Sequence, residues 1–362
     1  MSNPYQNLEP EAFWSRAVAD VAPHGLSNLF QPRFSIDRTM RVATAGSCFA
    51  QHIGRTLRGE GFNLLDFEPA PKFMTQATLN RFGLGMYSAR YGNIYTARQL
   101  LQTFQRALGQ LKPVEDVWKT EDGRCFDPFR PNVEPDGFAD ETRYRKDREW
   151  HFAAVRRLLK KADLFIFTFG LTEAWRDRRD GVVFPSCPGA IAGEFDETKH
   201  EFVNFSYEET LEDFLRFAEL ARSVNPAMKF LVTVSPVPLT ATASGDHVLP
   251  ATVYSKSVLR AVCGALRQRC DFVDYFPSYE LIASHPIRGA YYEANLRSVA
   301  PVGVEQVMKR FLAALSETGG SAEKSSAAMS KWKKRRQKKA QRGASADDVA
   351  CEEEMLEAFA EK

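Results

Sequence analysis

The residues best equipped for chemistry stand side by side at Gly46-Ser47-Cys48. A hydroxyl and a thiol are both acyl-transfer nucleophiles, and each gains by lying close to a source of positive potential. Met40-Arg41-Val42-Ala43-Thr44-Ala45 precedes them and reads as a strand, while Phe49, Ile53 and Leu57 follow at helical spacing. The turn therefore feeds a helix N-terminus, whose unpaired N–H groups and positive dipole end lower a thiol's pKa and stabilise an oxyanion. The same residues also suit a structural turn that lets strand and helix pack closely, with Cys48 as a small buried hydrophobe. The chemical reading requires Cys48 or Ser47 to be at least partly accessible in a cleft at the strand ends.

The elements that must hold this turn can be read along the chain. Leu164-Phe165-Ile166-Phe167-Thr168-Phe169 and Phe230-Leu231-Val232-Thr233-Val234 are short apolar strands, ending at Gly170 and at Ser235-Pro236. Helical patterns run from about Arg148 to Lys161, Tyr207 to Ser223, Tyr254 to Arg269 and Val302 to Leu315, the last opened by Pro301. A short strand is expected at Phe272-Val273-Asp274-Tyr275. Buried strands alternating with helices imply an α/β fold, a three-layer α/β/α sandwich with a mostly parallel central sheet. In such folds the site lies at the carboxyl ends of the strands. Gly46-Ser47-Cys48, Gly170-Leu171-Thr172-Glu173 and Ser235-Pro236-Val237 stand there. Residues 62–146 form a less regular insertion, with a helix from Ala97 to Leu108 capped by Thr96 and a Pro- and Asp-rich stretch at 126–137.

Composition narrows the function classes. The chain has 362 residues, 44% hydrophobic and 26% charged, enough for a substantial core. Residues 321–362 hold ten of the 48 Lys and Arg and eight of the 46 Asp and Glu, so the preceding body carries 38 of each and offers no large basic surface. The six cysteines show neither Cys-x-x-Cys spacing nor a zinc-finger pattern, so no structural metal and no disulfide framework is expected. No cofactor is expected either. Nothing resembles a signal peptide or a transmembrane run, and a cytoplasmic location is the expectation. The expected organisation is an N-terminal extension at 1–38, the α/β domain at 39–316 and a charged, disordered tail at 317–362. Within the tail, eight of the twelve residues from Lys331 to Arg342 are basic, a stretch able to attract nucleic acid or an anionic surface or simply to keep the chain soluble.

Gly46-Ser47-Cys48-Phe49-Ala50 is the signature that names the GSCFA family. Ile53-Gly54, Ser235-Pro236-Val237, Tyr254-Ser255-Lys256 and Tyr275-Phe276-Pro277-Ser278-Tyr279-Glu280 extend the resemblance over roughly residues 38–315. That family in turn resembles the SGNH, or GDSL, hydrolases, whose Gly-Asp-Ser turn carries the nucleophile. The resemblance implies an esterase or acyltransferase that works through an acyl-enzyme on an O-acylated carbohydrate or other small ester, with an acyl donor as a possible partner and polysaccharide modification as a setting. In ungapped register Cys48 falls on the nucleophile, and Ser47 is the alternative if the turn is shifted by one. Gly170 and Thr172 fall where those hydrolases have Gly-x-Asn-Asp, which implies oxyanion roles, and Gly92 is a candidate for the other donor. Glu173 could orient a base, pair with Arg297 or be a helix-start carboxylate favoured by the dipole, and Trp175 could stack on a sugar ring or simply pack.

The chain departs from the pattern before the last helix. SGNH hydrolases place Asp-x-x-His there; this chain has Asn295-Leu296-Arg297-Ser298. Asn295 cannot ionise and Ser298 is no useful base. His285, between the last strand and the last helix, is then the first candidate base and His247 the second; His52 reads as a helix-face residue. The missing pair also motivates a contrasting expectation, a binding protein that kept the scaffold and lost catalysis.

Overall fold

The computed structural model describes residues 3–318 and, near the C-terminus, 356–357 and 359–360; the charged tail expected from residue 317 lies almost wholly outside them. Contacts between Cα atoms place residues 38–275 in one unit and residues 3–37 together with 276–318 in a second.

In chain order the first unit contains strand β1 (Val42–Gly46), helices α1 (Ala50–Gly59), α2 (Gln76–Arg81) and α3 (Ala97–Ala107), a hairpin of β2 (Trp118–Lys119) and β3 (Cys125–Phe126), helix α4 (Glu141–Lys161) and strand β4 (Leu164–Phe169). Strands β5 (Glu173–Asp177), β6 (Val183–Phe184) and β7 (His200–Asn204) follow, then helix α5 (Tyr207–Val224), strand β8 (Lys229–Val234), helix α6 (Val248–Arg269) and strand β9 (Val273–Tyr275). The second unit holds helices α7 (Ser278–Ala283) and α8 (Pro301–Thr318). It packs Phe276 between Phe30 and Phe311, at centroid distances of 5.3 and 4.9 Å.

Strands β1, β4, β8 and β9 form one parallel sheet in that order. Every residue of β4 is buried, so both faces of the sheet are covered. Phe165, Phe167 and Phe169 point to one face. There they meet Phe104 of α3 and Phe214 and Phe217 of α5. Thr44 points to the opposite face, in register with Ile166, and its Oγ1 lies 3.5 Å from where a Cβ on Gly54 of α1 would stand. Helices on both faces make the three layers expected from the alternation of strands and helices.

The sheet continues on the far side of β1 by a single residue, because Leu64 bridges Val42 in parallel. Strand order therefore runs Leu64, β1, β4, β8, β9. The chain leaves β1 by α1 in one direction and reaches β4, β8 and β9 in the other. This reversal makes the carboxyl ends of β1 and β4 a topological switch point, where ligands bind in open α/β sheets.

The segment after Phe62 is not idle. It supplies partners along the free edge of β1: Val42 bonds to Asn63 and Leu65, the Thr44 N–H to Ser88 Oγ, and the Gly46 carbonyl accepts from the Ile94 N–H. A second departure from the sequence reading follows Gly170. Glu173 opens a strand, not a helix, in a separate antiparallel sheet ordered β6-β5-β7. Helix boundaries also differ: α4 begins at Glu141, capped by Asp140, and α6 begins at Val248, capped by His247. No helix among the described residues is long and apolar enough to cross a membrane.

Charged groups buried beneath this segment tie it to α4. His151 Nδ1 lies 2.8 Å from Glu68 Oε2, and Glu68 also accepts from the Arg90 N–H at 2.6 Å. Burial alone would raise the Glu68 carboxyl, but the pairing with His151, the Arg130 guanidinium and the Arg90 N–H outweigh it and hold it down to about 2. Burial, then the Arg130 charge, hold His151 below its ordinary value. Both folded values lie below the unfolded ones, so the folded state binds fewer protons and acid destabilises it. The His151 contribution starts to be lost as pH falls below about 6.5, and that of Glu68 as pH falls from about 4.3 toward 2. Between pH 7 and pH 3.5 the loss tied to Glu68 is on the order of 1 kcal/mol. In urea titrations at pH 7 and pH 3.5, Glu68→Gln should therefore lose markedly less stability on acidification than the parent. Equal losses would remove Glu68 from the account.

Candidate active site

Strand β1 must end in glycine for the turn to form. Gly46 adopts φ +140°, and a Cβ there would lie 2.5 Å from the Thr168 carbonyl oxygen. The chain then crosses to α1. The Ser47 N–H donates to the Thr168 carbonyl at 3.1 Å, and the Ser47 and Cys48 carbonyls accept from the N–H groups of Ala50 and Gln51. Cys48 thus stands in the turn that leads into α1, just before its N-cap Phe49 and close to the positive end of the helix dipole.

Neither nucleophile candidate is accessible as the sequence reading requires: Cys48 is 6% exposed and Ser47 is 2% exposed. The cause lies in the segment that follows α1. Tyr87 shares its hydroxyl proton between the Ser47 carbonyl at 3.0 Å and Asn93 Oδ1 at 2.6 Å. Asn93 Nδ2 reaches the Tyr95 hydroxyl, and Gln99 fastens the backbone of Asn93 and Tyr95 from α3. Gly92, at φ +69°, allows the bend that brings this loop alongside the turn. The contacts that close over the turn are polar and fasten its backbone at the Ser47 carbonyl. Ser47 Oγ is buried with no hydrogen-bond partner among the described residues, an arrangement that native proteins seldom tolerate without a reason.

Gly170 faces this turn directly. A Cβ on it would lie 2.9 Å from Ser47 Cβ and 3.1 Å from Tyr95 Cδ1. Thr172 is buried, but its hydroxyl donates to Asn204 Oδ1 at 2.7 Å and its N–H to Ser255 Oγ at 3.0 Å. Its one hydroxyl proton is engaged in this geometry, which leaves it ill-placed to serve an oxyanion. Glu173 is buried at the start of β5 and accepts from the Thr242 hydroxyl at 2.8 Å; burial raises its pKa. Trp175 packs edge-to-face with Phe195 and Phe202, at 5.2 and 5.9 Å.

His247 is exposed and caps α6, its Nδ1 accepting from the Leu249 N–H at 3.1 Å. His52 packs edge-to-face on Phe49. His285 and Arg297 belong to the second unit. His285 is exposed and stacks on Trp14 at 5.3 Å, while Arg297 is buried. In place of Asp-x-x-His, Asn295 Nδ2 donates to Ser298 Oγ at 3.0 Å, and Asn295 Oδ1 accepts from the N–H groups of Arg297 and Ser298. The two residues keep an i, i+3 link across the loop without any ionisable group. Reading from sequence missed Tyr87 and Asn93, which hold the turn closed. The only signal was their nearness to Gly92.

The GSCFA family pattern matches residues 41–311, three quarters of the chain and all of the geometry around the turn. The chain belongs to the GSCFA family. A solved carbohydrate esterase of family 3 from Talaromyces cellulolyticus is similar over 77% of this GSCFA chain and 97% of its own, at 9% identity and a TM-score of 0.37. A second solved structure is similar over 45% of this chain and 70% of its own, at 13% identity and a TM-score of 0.25. At these TM-scores neither likeness bears on the activity. No curated protein matches the sequence.

Proposed function

We propose that this GSCFA protein is an acyl-transfer enzyme of the SGNH-hydrolase type, acting on an ester of a carbohydrate or other small molecule with Cys48 as nucleophile. The observation that supports it is the position of Cys48, in the turn between β1 and the N-terminus of α1 at the switch point of the sheet. A serine nucleophile depends on a base to take its proton, and the usual base position holds Ser298. A thiol depends on one less, because it ionises at about pH 8.5, far more readily than a serine hydroxyl. Attack on the ester carbonyl would give a thioester and release the alcohol. Water would then complete a hydrolysis, and a second hydroxyl compound a transfer. His247 is the proposed source of the proton the alcohol needs. The enclosing Tyr87–Tyr95 loop would have to move for a substrate to enter.

The Asn295–Ser298 pair favours a second reading, a ligand-binding member of the family without turnover. One experiment separates the two. The full chain is incubated with p-nitrophenyl acetate and with an O-acetylated sugar, and acyl adducts are mapped by mass spectrometry. The expected result is an adduct on Cys48 and a loss of roughly 100-fold or more in turnover for Cys48→Ala, with a smaller loss for Ser47→Ala. The reverse order would make Ser47 the nucleophile. Binding of the acetylated sugar without adduct or turnover would establish the second reading.

A further inference from the structure

Gly170, Leu171 and Thr172 lie between β4 and β5 and belong to neither strand. Thr172 is tied to β7 and its end, its carbonyl accepting from the Phe205 N–H at 2.9 Å and its hydroxyl donating to Asn204 Oδ1; the other bonds converge on the turn from two sides. The Gly170 and Leu171 N–H groups both donate to the Tyr95 carbonyl, at 2.9 and 3.1 Å. From the other side, two consecutive residues of α6 complete the grip: Lys256 Nζ donates to the Gly170 carbonyl at 2.7 Å, and Ser255 Oγ accepts from the Thr172 N–H at 3.0 Å. Lys256 is 1% exposed. Lysine is among the residues least often fully buried, and desolvating its ammonium is costly. A neutral side chain could fill the same space at less cost. The ammonium gives a short, charge-assisted bond to the Gly170 carbonyl, and that glycine packs against Ser47 Cβ.

We propose that Lys256 is a positioning residue for the Gly46-Ser47-Cys48 site: by holding the Gly170 carbonyl it sets the separation between the Gly170–Thr172 turn and the Ser47-Cys48 turn. The effect on catalysis rests on the acyl-transfer reading above; the grip on the turn does not. A displacement of about 1 Å at a reacting centre lowers the rate by about 100-fold, so the tie matters to chemistry even though Lys256 is not shown touching a reacting atom.

The test uses the full chain with Lys256→Met, which keeps the length and removes the donor, and Lys256→Arg, which restores a charged donor. Hydrogen exchange is followed by mass spectrometry in the peptide spanning 168–173, with β8 as internal reference. Hydrolysis of p-nitrophenyl acetate is measured in parallel. In Lys256→Met, exchange at 168–173 should speed up at least about tenfold while β8 is unchanged, and kcat should fall about 10- to 100-fold with KM nearly constant. Lys256→Arg should recover part of both. Unchanged exchange at 168–173 in Lys256→Met overturns the proposal whatever the activity. Faster exchange with unaltered kcat overturns the part concerning catalysis. If the parent protein hydrolyses nothing, the acyl-transfer reading fails on its own, and the exchange result alone upholds or overturns the grip.

Discussion

Gly46→Ala should lose about 2–6 kcal/mol of stability, combining the cost of overpacking with that of a strained backbone. Two independent constraints converge on this residue. Its φ of +140° lies where L side chains rarely settle. The added Cβ would also meet the backbone of β4, at 2.5 Å from the Thr168 oxygen and 2.7 Å from its nitrogen. Neither atom can move without breaking the β1–β4 pairing, because Thr168 is the register partner of Gly46 and accepts from the Ser47 N–H. Against a typical total of 5–15 kcal/mol, such a loss leaves a marginal protein. The comparison that isolates the cause is Gly59→Ala in α1, where a Cβ meets nothing within 4 Å. That change should be neutral or slightly stabilising. Both are read from urea denaturation midpoints. A Gly46→Ala protein within 1 kcal/mol of the parent would mean that the turn can re-form without glycine, and the argument for its special geometry would fall.

How much of this was legible beforehand depends on what stabilises each part. Strands β1, β4 and β8 announce themselves because they are buried on both faces and need runs such as Leu164-Phe165-Ile166-Phe167-Thr168-Phe169. The helix at Ala97 was legible from its cap, since Thr96 accepts from the Gln99 N–H as its side chain predicts. The sheet of β5, β6 and β7 was not. Glu173-Ala174-Trp175-Arg176-Asp177 has no apolar alternation, and its pairing with β7 is supported by ion pairs such as Arg176–Glu201, visible only once the strands are adjacent. The partners along the edge of β1 were equally hidden. Asn63, Ser88 and Ile94 each supply one bond and belong to no common period.

The site divides the same way. The nucleophile turn and the absent Asp-x-x-His are sequence facts. The enclosure of Ser47 and Cys48 by Tyr87 and Asn93 is tertiary, and so is the engagement of Thr172 with Asn204. Lys256 sat on a helix with nothing in its spacing to mark it as buried. A lysine is normally read as solvent-facing, and that expectation fails where a carbonyl of another element waits for a donor.

Asp127→Ala should lose about 3–5 kcal/mol, the cost of leaving buried charge uncompensated. The Pro- and Asp-rich stretch at 126–137 carries no periodic pattern, yet Asp127 is fully buried within it. Its carboxylate accepts from Arg130 Nε at 2.8 Å and from the Phe129 N–H at 3.0 Å, and lies 3.9 Å from Arg106. Burial would raise this carboxyl, but the charges of Arg130 and Arg106 outweigh it and hold it below its ordinary value. Arg106 has no other carboxylate among its described ion pairs. It lies over the Phe129 ring at 3.5 Å, and burial brings it down to about 10. Arg130 keeps Asp147 at 2.8 Å, so removing Asp127 strands Arg106 more than Arg130. The double variant Asp127→Ala, Arg106→Met should therefore recover part of the loss, because the uncompensated guanidinium goes with its partner. Thermal melts read the effect as a fall of roughly 10 °C for the single variant. Should the double variant be as unstable as the sum of its parts, Arg106 and Asp127 are not coupled. The stretch would then be held by the Asp127–Arg130 turn alone.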